Sequence, residues 1–125
     1  METITCPFCV LDESRIIAQN DLVIAFYDGF PVNPGHTLII PRRHVANYFD
    51  LTDQEKTELW SMADYCKNII DSRFSPDGYN IGINIGAAAG QSVPHVHLHL
   101  IPRFTGDTPN PRGGVRGVIP SKQNY

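Results

Sequence analysis

Three of the chain's five histidines lie two residues apart within residues 90–102, GQSVPHVHLHLIP. Polar and apolar residues alternate over residues 95–101, which predicts a strand with two unlike faces. The histidines would project from one face: His95, His97 and His99. The apolar residues between them would project into the core from the other: Val96, Leu98 and Leu100. Because residues i and i+2 of a strand lie roughly 6.5 Å apart, neighbouring imidazoles can converge on one small group, a metal ion or a phosphate.

Length, charge and cysteine count narrow the classes of protein to which the chain can belong. Its 125 residues have the size of one domain with a single core. A formal net charge of -3 provides no broad basic field, so nucleic acid is not an expected partner. No segment approaches the ~18 uninterrupted apolar residues of a membrane span. Three cysteines without a secretion signal favour free or metal-bound thiols in a reducing compartment. We therefore expect a cytoplasmic protein with no membrane partner.

The segment Cys6-Pro-Phe-Cys9 is a C-x-x-C pair, a spacing that can supply two thiolates to a tetrahedral zinc ion. The remaining two ligands would come from elsewhere in the chain, and His44 and His95 are the candidates. A thioredoxin-like redox pair is the alternative. That motif follows a strand and begins a helix, and five preceding residues leave no room for the strand. Zinc is therefore the favoured interpretation, and a redox pair and thiols without a function remain the alternatives.

The first forty residues predict a β-hairpin and a third strand. Residues 14–19 and 22–27 are apolar-rich and are separated by a turn-prone Asn-Asp pair, as in a hairpin that ends at Asp28. A carboxylate there can accept hydrogen bonds from a ribose, but an Asp before Gly is more often a turn residue. His36 begins a short buried strand over residues 36–41, a position where a lone histidine is usually structural.

Residues 51–74 carry the clearest helical pattern. Thr52-Asp-Gln-Glu55 has the spacing of a capping box, in which the Thr and Glu side chains satisfy two early amides. Apolar residues then recur at helical spacing and predict a stripe that packs on a sheet: Leu59, Met62, Ala63, Cys66, Ile69 and Ile70. Because Cys66 falls within the stripe, we expect a core residue and not a reactive thiol.

A polar strand face and a loop of small residues come directly before the histidines. The segment YNIGIN alternates, which places Asn80 and Asn84 on one small polar face. The loop from Gly86 to Gly90, GAAAG, leaves its amides accessible to an anion, although a plain connection between strands explains it too. Together with Ser92 it offers neutral groups to a phosphate. No nearby carboxylate is available to support metal-ligating imidazoles, which favours a nucleophilic histidine over a metal-activated water.

The end of the chain, residues 106–125, is rich in Gly and Pro and has no helical or sheet period, which predicts an extended tail. The tail is locally basic although the chain is acidic, and Arg112 and Arg116 are candidates for binding outlying phosphates. A solvated tail, or an arm that crosses to a second subunit, explains these charges equally well.

These motifs resemble those of the histidine triad (HIT) nucleotide hydrolases and transferases, in a zinc-binding, bacterial-type branch. The matching segments are His95-Val-His-Leu-His-Leu-Ile, Asn84…Gly90-Gln-Ser92 and Gly35-His36-Thr-Leu-Ile-Ile-Pro41. The resemblance implies an α+β fold with a five-stranded antiparallel sheet and one long helix, which dimerises into a continuous two-subunit sheet. It leads us to expect a HIT domain over residues 1–105, with residues 106–125 as a tail of the same domain.

The resemblance also implies roles for individual residues. His97 would attack an α-phosphate and form a nucleotidyl-histidine that water then hydrolyses. The other catalytic positions are His36, His99 and Ser92. The positions that bind the nucleotide are Asp28, Asn84, Gly90 and Gln91, with the tail arginines Arg112 and Arg116 as further candidates. For Asp28, a role in holding the ribose hydroxyls replaces the plain turn.

A structural zinc ion, remote from the chemistry, is the only cofactor that the resemblance implies, and no organic cofactor is expected. Its ligands would be Cys6, Cys9, His44 and His95. Strict alternation places His95 on the same face as His97, so this zinc site requires the strand to begin after His95.

The last histidine bears on the type of reaction. Family members that transfer or phosphorolyse nucleotides tend to have Gln there, so His99 indicates a hydrolase. The expected substrate is a purine nucleotide, either a dinucleoside polyphosphate or an adenosine phosphoramidate. Two alternatives remain: a nucleotide-binding or scaffold protein with vestigial activity, and a metal-assisted hydrolase that uses the three row histidines.

Overall fold

Five antiparallel strands form one sheet in the order β1-β2-β3-β5-β4. A computed structural model describes residues 6–125, so the first five residues of the predicted domain lie outside the described range. The strands are β1 (Ile16–Gln19), β2 (Val23–Tyr27), β3 (Thr37–Pro41), β4 (Gly78–Ile83) and β5 (Leu98–Arg103). β1 and β2 form the predicted hairpin. With one long helix, this arrangement confirms the predicted α+β fold.

Helix α1 (Asp53–Phe74) begins at the predicted capping box. The Thr52 hydroxyl accepts from the Glu55 amide at 3.1 Å, and the Glu55 carboxylate accepts from the Thr52 amide at 2.9 Å. The helix ends at Ser75, which adopts a left-handed conformation with φ 52°. Among the described residues, no helix is long and apolar enough to cross a membrane.

The sheet has two unlike faces, and only one of them contacts the helix. The face toward α1 carries the main core, which includes the predicted stripe residues Leu59, Met62, Ala63, Cys66 and Ile70 and the strand residues Val96, Leu98 and Leu100. Cys66 is fully buried, and burial raises the pKa of its thiol to about 11, as fits a core residue. The opposite face carries a smaller cluster around Phe26, Leu38 and Ile40, covered by the N-terminal residues Phe8 and Leu11.

Strand β5 begins three residues later than the alternation predicts, at Leu98 instead of His95. Its ladder with β3 ends at the pair Ile39 and Leu98. Two steps further along β3 stands Pro41, which has no N–H to donate to the ladder. The Val96 amide bonds the Val45 carbonyl instead, at 2.7 Å. The prediction that three histidines share one strand face is therefore wrong, because His95 and His97 both lie before the strand and only His99 is part of it.

The tail is not extended as predicted. It forms two short 3-10 turns, Gly114–Val118 and Pro120–Lys122. Gly113 has φ +89°, and a Cβ at this position would lie 1.8 Å from the Gln123 carbonyl oxygen, so only glycine fits. The Gln123 side chain in turn donates to two tail carbonyls at 3.1 Å. These long-range contacts fold the segment although it has no sequence period.

Candidate active site

A cavity of about 410 Å³ opens on the sheet face that α1 leaves free. Five of the predicted site residues line it: Asp28, Asn84, Ser92, His97 and His99. Seven lining residues were not predicted: Pro7, Phe8, Arg15, Gly29, Phe30, Leu38 and Val93. The volume lies in the range of small-molecule sites, which is about 300–1,000 Å³. The cavity is therefore large enough to hold a nucleotide-sized ligand against two histidines.

A hydrogen bond from the His97 ring determines which of its two nitrogens is free. Its Nδ1 lies 2.9 Å from the backbone carbonyl oxygen of His95. A carbonyl oxygen only accepts, so Nδ1 must carry the hydrogen, and in the neutral ring the lone pair is then on Nε2. The side chain is only 6% exposed. A neutral imidazole with an unshared Nε2 lone pair at a cavity wall is the form that a nucleophile requires.

His36 and His99 form a directed hydrogen-bond chain beside His97. The Val32 amide donates to His36 Nδ1 at 2.9 Å, which leaves the hydrogen of the neutral His36 ring on Nε2. His36 Nε2 lies 3.0 Å from His99 Nδ1 and donates to it. His99 then carries its own hydrogen on Nε2. These hydrogen bonds thus leave the His99 Nε2–H as a donor, and a phosphate oxygen can accept its hydrogen bond.

Burial keeps both of these histidines neutral. It lowers the pKa of His99 to about 4, with smaller contributions from His97 and His36. Burial also lowers the pKa of His36, although the Asp28 carboxylate opposes the shift. At neutral pH each ring therefore has one donor and one acceptor, as the hydrogen-bond chain requires.

Stability should fall on acidification because of His99. The unfolded state binds a proton below a pKa of about 6.5, while the folded state resists protonation until about pH 4. The free energy of unfolding should thus decrease by up to about 1.4 kcal/mol per pH unit as pH falls through this window. Replacing His99 by Gln removes this contribution, so the variant should lose about 2 kcal/mol less than the wild type between pH 6.5 and 4.5. Urea unfolding in excess chelator measures both profiles, and parallel profiles would contradict the assignment.

Asp28 follows β2 and is held by two contacts. Its Oδ1 accepts from the Phe30 amide at 2.9 Å, and its Oδ2 lies 3.5 Å from His36 Nε2. The side chain remains 16% exposed and lines the cavity. The turn interpretation and the ligand interpretation are both compatible with this geometry, since one oxygen closes the turn and the other stays near the histidines.

The predicted zinc ligands meet at the end of the sheet. Cys9 Sγ lies 3.3 Å from His44 Nδ1, and His95 Nδ1 lies 3.5 and 3.6 Å from the sulfurs of Cys6 and Cys9. One ligand atom from each residue lies within 4.8 Å of the others. Tetrahedral Zn–S and Zn–N bonds place sulfur and nitrogen about 3.6 Å apart, so this set fits zinc. His95 Nε2 donates to the Pro41 carbonyl at 2.8 Å, which leaves the lone pair on Nδ1, toward the thiols.

Two expectations about metal need correction. The cluster is not remote from His97, the candidate nucleophile, because the carbonyl of its member His95 accepts the His97 hydrogen bond. The three row histidines do not hold a metal jointly either, because the His95 ring turns toward the thiols. His97 and His99 remain side by side, with ring centroids 5.1 Å apart.

Four predicted nucleotide-binding residues do not line the cavity. Gln91 holds the loop before Ser92, since its side chain accepts from the Gly86 amide and donates to two carbonyls. Gly90 ends the turn of that loop with φ +92°. The tail arginines bond other tail residues: Arg112 donates to the Tyr125 carbonyl, and Arg116 donates to the Lys122 carbonyl at 2.9 Å. The placement of these four residues gives no support to their predicted role in nucleotide binding.

Sequence patterns missed the aromatic and basic lining of the cavity. Phe8 lies inside the C-x-x-C pair, a position that the motif leaves unspecified. Arg15 donates to the Tyr27 carbonyl at 3.0 Å and lies over the Phe26 ring. Phe30 is 93% exposed at the cavity. No local period distinguishes these residues from ordinary loop residues, so their contacts depend on the three-dimensional fold.

The fold and the site define a class of protein: an α+β fold with one five-stranded sheet and two adjacent histidines at a nucleotide-sized cavity. Residues 12–106 match the model of the HIT domain. The chain belongs to the histidine triad family.

Proteins with known names resemble the chain over most of its length. It is 38% identical to an AP-4-A phosphorylase of Mycobacterium tuberculosis over 97 residues, covering 77% of this chain and 50% of that protein. It is 43% identical to an asymmetrical bis(5'-nucleosyl)-tetraphosphatase of Schizosaccharomyces pombe over 94 residues, covering 75% and 52%. The chain therefore spans about half the length of these curated relatives.

Solved structures agree with the fold. A HIT family protein from Bacillus anthracis superposes with a TM-score of 0.76 and 37% identity, covering 82% of this chain and 75% of that one. A zinc-bound histidine triad protein from Mycobacterium smegmatis superposes with a TM-score of 0.70 and 31% identity, covering 76% and 69%. Both similarities extend over the sheet and the helix of this chain.

Proposed function

We propose that the protein hydrolyses purine nucleotides at an α-phosphate through a nucleotidyl-histidine, with His97 as the nucleophile. The observation that carries this proposal is the pair of hydrogen bonds that fixes the His97 and His99 tautomers. One ring offers a lone pair and its neighbour offers an N–H. Attack on phosphorus needs a nucleophile and a donor for the phosphoryl oxygens at the same place.

The cavity residues suggest how the substrate binds. Phe8 and Phe30 supply aromatic surface for a base, and Asp28 supplies a carboxylate for the ribose hydroxyls. His97 Nε2 forms a bond to the α-phosphorus while the bond from phosphorus to the leaving oxygen or nitrogen breaks. The leaving group takes a proton from the Ser92 hydroxyl, and the water consumed in the second step returns a proton to Ser92. Water then cleaves the N–P bond, which restores the His97 lone pair and releases a nucleoside 5'-monophosphate.

The leaving group is the open part of the proposal. The names of the relatives, a tetraphosphatase and a phosphorylase, favour a dinucleoside polyphosphate. An adenosine phosphoramidate is the second substrate class. Inorganic phosphate is the alternative to water as the acceptor of the nucleotidyl group. Turnover of diadenosine tetraphosphate and of an adenosine phosphoramidate, each with and without inorganic phosphate, tests all of these. A scaffold protein with vestigial activity would turn over neither substrate while still binding AMP.

Replacing Asp28 by Asn should weaken binding of ribonucleotides. Charge-assisted hydrogen bonds contribute about 1.5–3 kcal/mol, so the KM for diadenosine tetraphosphate should rise roughly 10- to 100-fold, with kcat affected less. A substrate with 2',3'-dideoxyribose cannot make these bonds and serves as the matched control. Steady-state kinetics on both substrates measure the difference, and an equal loss on both would argue that Asp28 only closes its turn.

The assembly and the metal complete the proposal. β4 is an edge strand, and its Ile81 is 40% exposed, so a second copy can pair along this edge and extend the sheet. The solution mass from light scattering tests the homodimer. Zinc held by the two cysteines and two histidines is structural, because the four side chains fill a tetrahedral shell and leave no open position for water.

A further inference from the structure

Phe8 connects the metal cluster to the candidate nucleophile. It stands between the two cysteines of the C-x-x-C segment, and its ring centroid lies 5.0 Å from that of His97. The two rings meet edge to face, at an interplanar angle of 69°. Phe8 also contacts Phe26, with centroids 5.5 Å apart. One wall of the His97 pocket is therefore part of the segment that carries the thiols.

A second connection between the cluster and His97 runs through the backbone. His95 offers Nδ1 to the thiols, while its carbonyl accepts the His97 Nδ1 hydrogen bond. Two contacts therefore orient the His97 ring. One is the carbonyl of the cluster residue His95, and the other is the ring of Phe8, which lies between the two cysteines. Edge-to-face aromatic pairs stabilise each other beyond the effect of the area that they bury.

We propose that Phe8 is a positioning residue, and that closing the cysteine and histidine cluster around a metal sets the orientation of His97 through the Phe8 ring. The activity part of this inference rests on the function proposed above. Without metal, only the weak sulfur–nitrogen hydrogen bonds of 3.3–3.6 Å and the contacts of the Phe8 ring hold the segment of residues 6–9 to His44 and His95. The Phe8 ring then loses its fixed place against the nucleophile. A displacement of about 1 Å at a reacting group can reduce the rate about 100-fold.

The test compares wild type with Phe8→Leu and Phe8→Tyr, each loaded with Zn²⁺ and treated with chelator. Phe8→Leu should lower kcat about 10-fold or more with a smaller change in KM, because the ring orients the nucleophile. Phe8→Tyr retains the ring and should restore kcat. Zinc content and far-UV circular dichroism establish that each variant is folded and loaded.

A spectroscopic measurement tests the inference independently of turnover. The imidazole signals of His97 in ¹H–¹⁵N correlation spectra report the ring current of Phe8. Chelation should shift these signals in wild type, and addition of Zn²⁺ should restore them. In Phe8→Leu the signals should be displaced already, and chelation should change them little. Phe30→Leu removes another ring of the same cavity and should leave the His97 signals of the loaded protein unchanged.

The outcomes separate the two proposals. Unchanged His97 signals on chelation of wild type, or an unchanged kcat in loaded Phe8→Leu, would overturn the positioning role. A rise in KM alone would also overturn it, since that result describes a ring that only binds the base. If no form of the protein turns over either substrate, the proposed function fails, and the spectra still decide whether Phe8 links the metal to His97. Val10→Ala, an exposed change just outside the segment, should leave both measurements unchanged.

Discussion

Replacing His97 by Ala is expected to lower the turnover of diadenosine tetraphosphate by about 10³-fold or more. Among the described residues that line the cavity, His97 alone combines a tautomer fixed by a carbonyl with a ring nitrogen that makes no hydrogen bond to the protein. His99 cannot substitute, because its Nδ1 already accepts from His36 and its Nε2 carries the hydrogen. The variant should nevertheless bind AMP with an affinity within about 10-fold of wild type, because the ribose and base contacts are elsewhere in the cavity.

Two measurements on the same samples make this prediction specific. Rapid acid-free denaturation of wild type during turnover of α-labelled substrate should leave label on the protein, and His97→Ala should leave none. Isothermal titration with AMP shows whether the binding site is intact. His97→Ala with normal turnover would eliminate the nucleophile. Lost turnover together with lost AMP binding would instead indicate a damaged cavity, and Ser92→Ala provides the comparison, since an exposed hydroxyl at the cavity should cost far less.

Local patterns predicted those parts of the molecule that depend on local interactions. The capping box, the stripe of α1 and the hairpin each need only residues that are close in sequence, and each lies where its pattern predicted, except that Ile69 of the stripe is only half-buried and lies outside the core. The prediction that the apolar residues between the histidines face the core is also confirmed, since Val96, Leu98 and Leu100 all belong to it. Family resemblance, and not periodicity, was needed to place His36 beside His99.

The incorrect predictions have one physical origin: the deciding contact comes from a distant part of the chain. His95 leaves the strand because its partner on β3 would be near Pro41, which cannot donate to a ladder. The tail folds because Gln123 bonds two carbonyls more than ten residues away. Alternation of polar and apolar residues carries no information about either contact. The predicted β5 therefore began too early, and the tail was predicted to be extended.

Removing the metal is expected to lower the melting temperature by on the order of 10 °C. A ligand present at about a thousand times its Kd stabilises the folded state by about 4 kcal/mol. Each kcal/mol shifts the melting temperature by roughly 2–8 °C for a domain of this size. The cluster joins the N-terminal segment to the residues that follow β3 and precede β5. Its loss should therefore loosen the cover of the smaller core cluster around Phe26, while the core beneath α1 stays folded.

Two of the three cysteines provide a matched comparison for this experiment. Cys9→Ser removes one ligand, so its melting temperature should be low with or without chelator. Cys66→Ala removes a fully buried thiol from the helix stripe and costs about 1 kcal/mol, but its response to chelator should equal that of wild type. Thermal unfolding of all three proteins, with zinc content measured beforehand, checks the prediction. An equal chelator response in Cys9→Ser and wild type would remove the thiols from the metal site. A matching response only in Cys66→Ala assigns the stabilisation to the four residues at the end of the sheet.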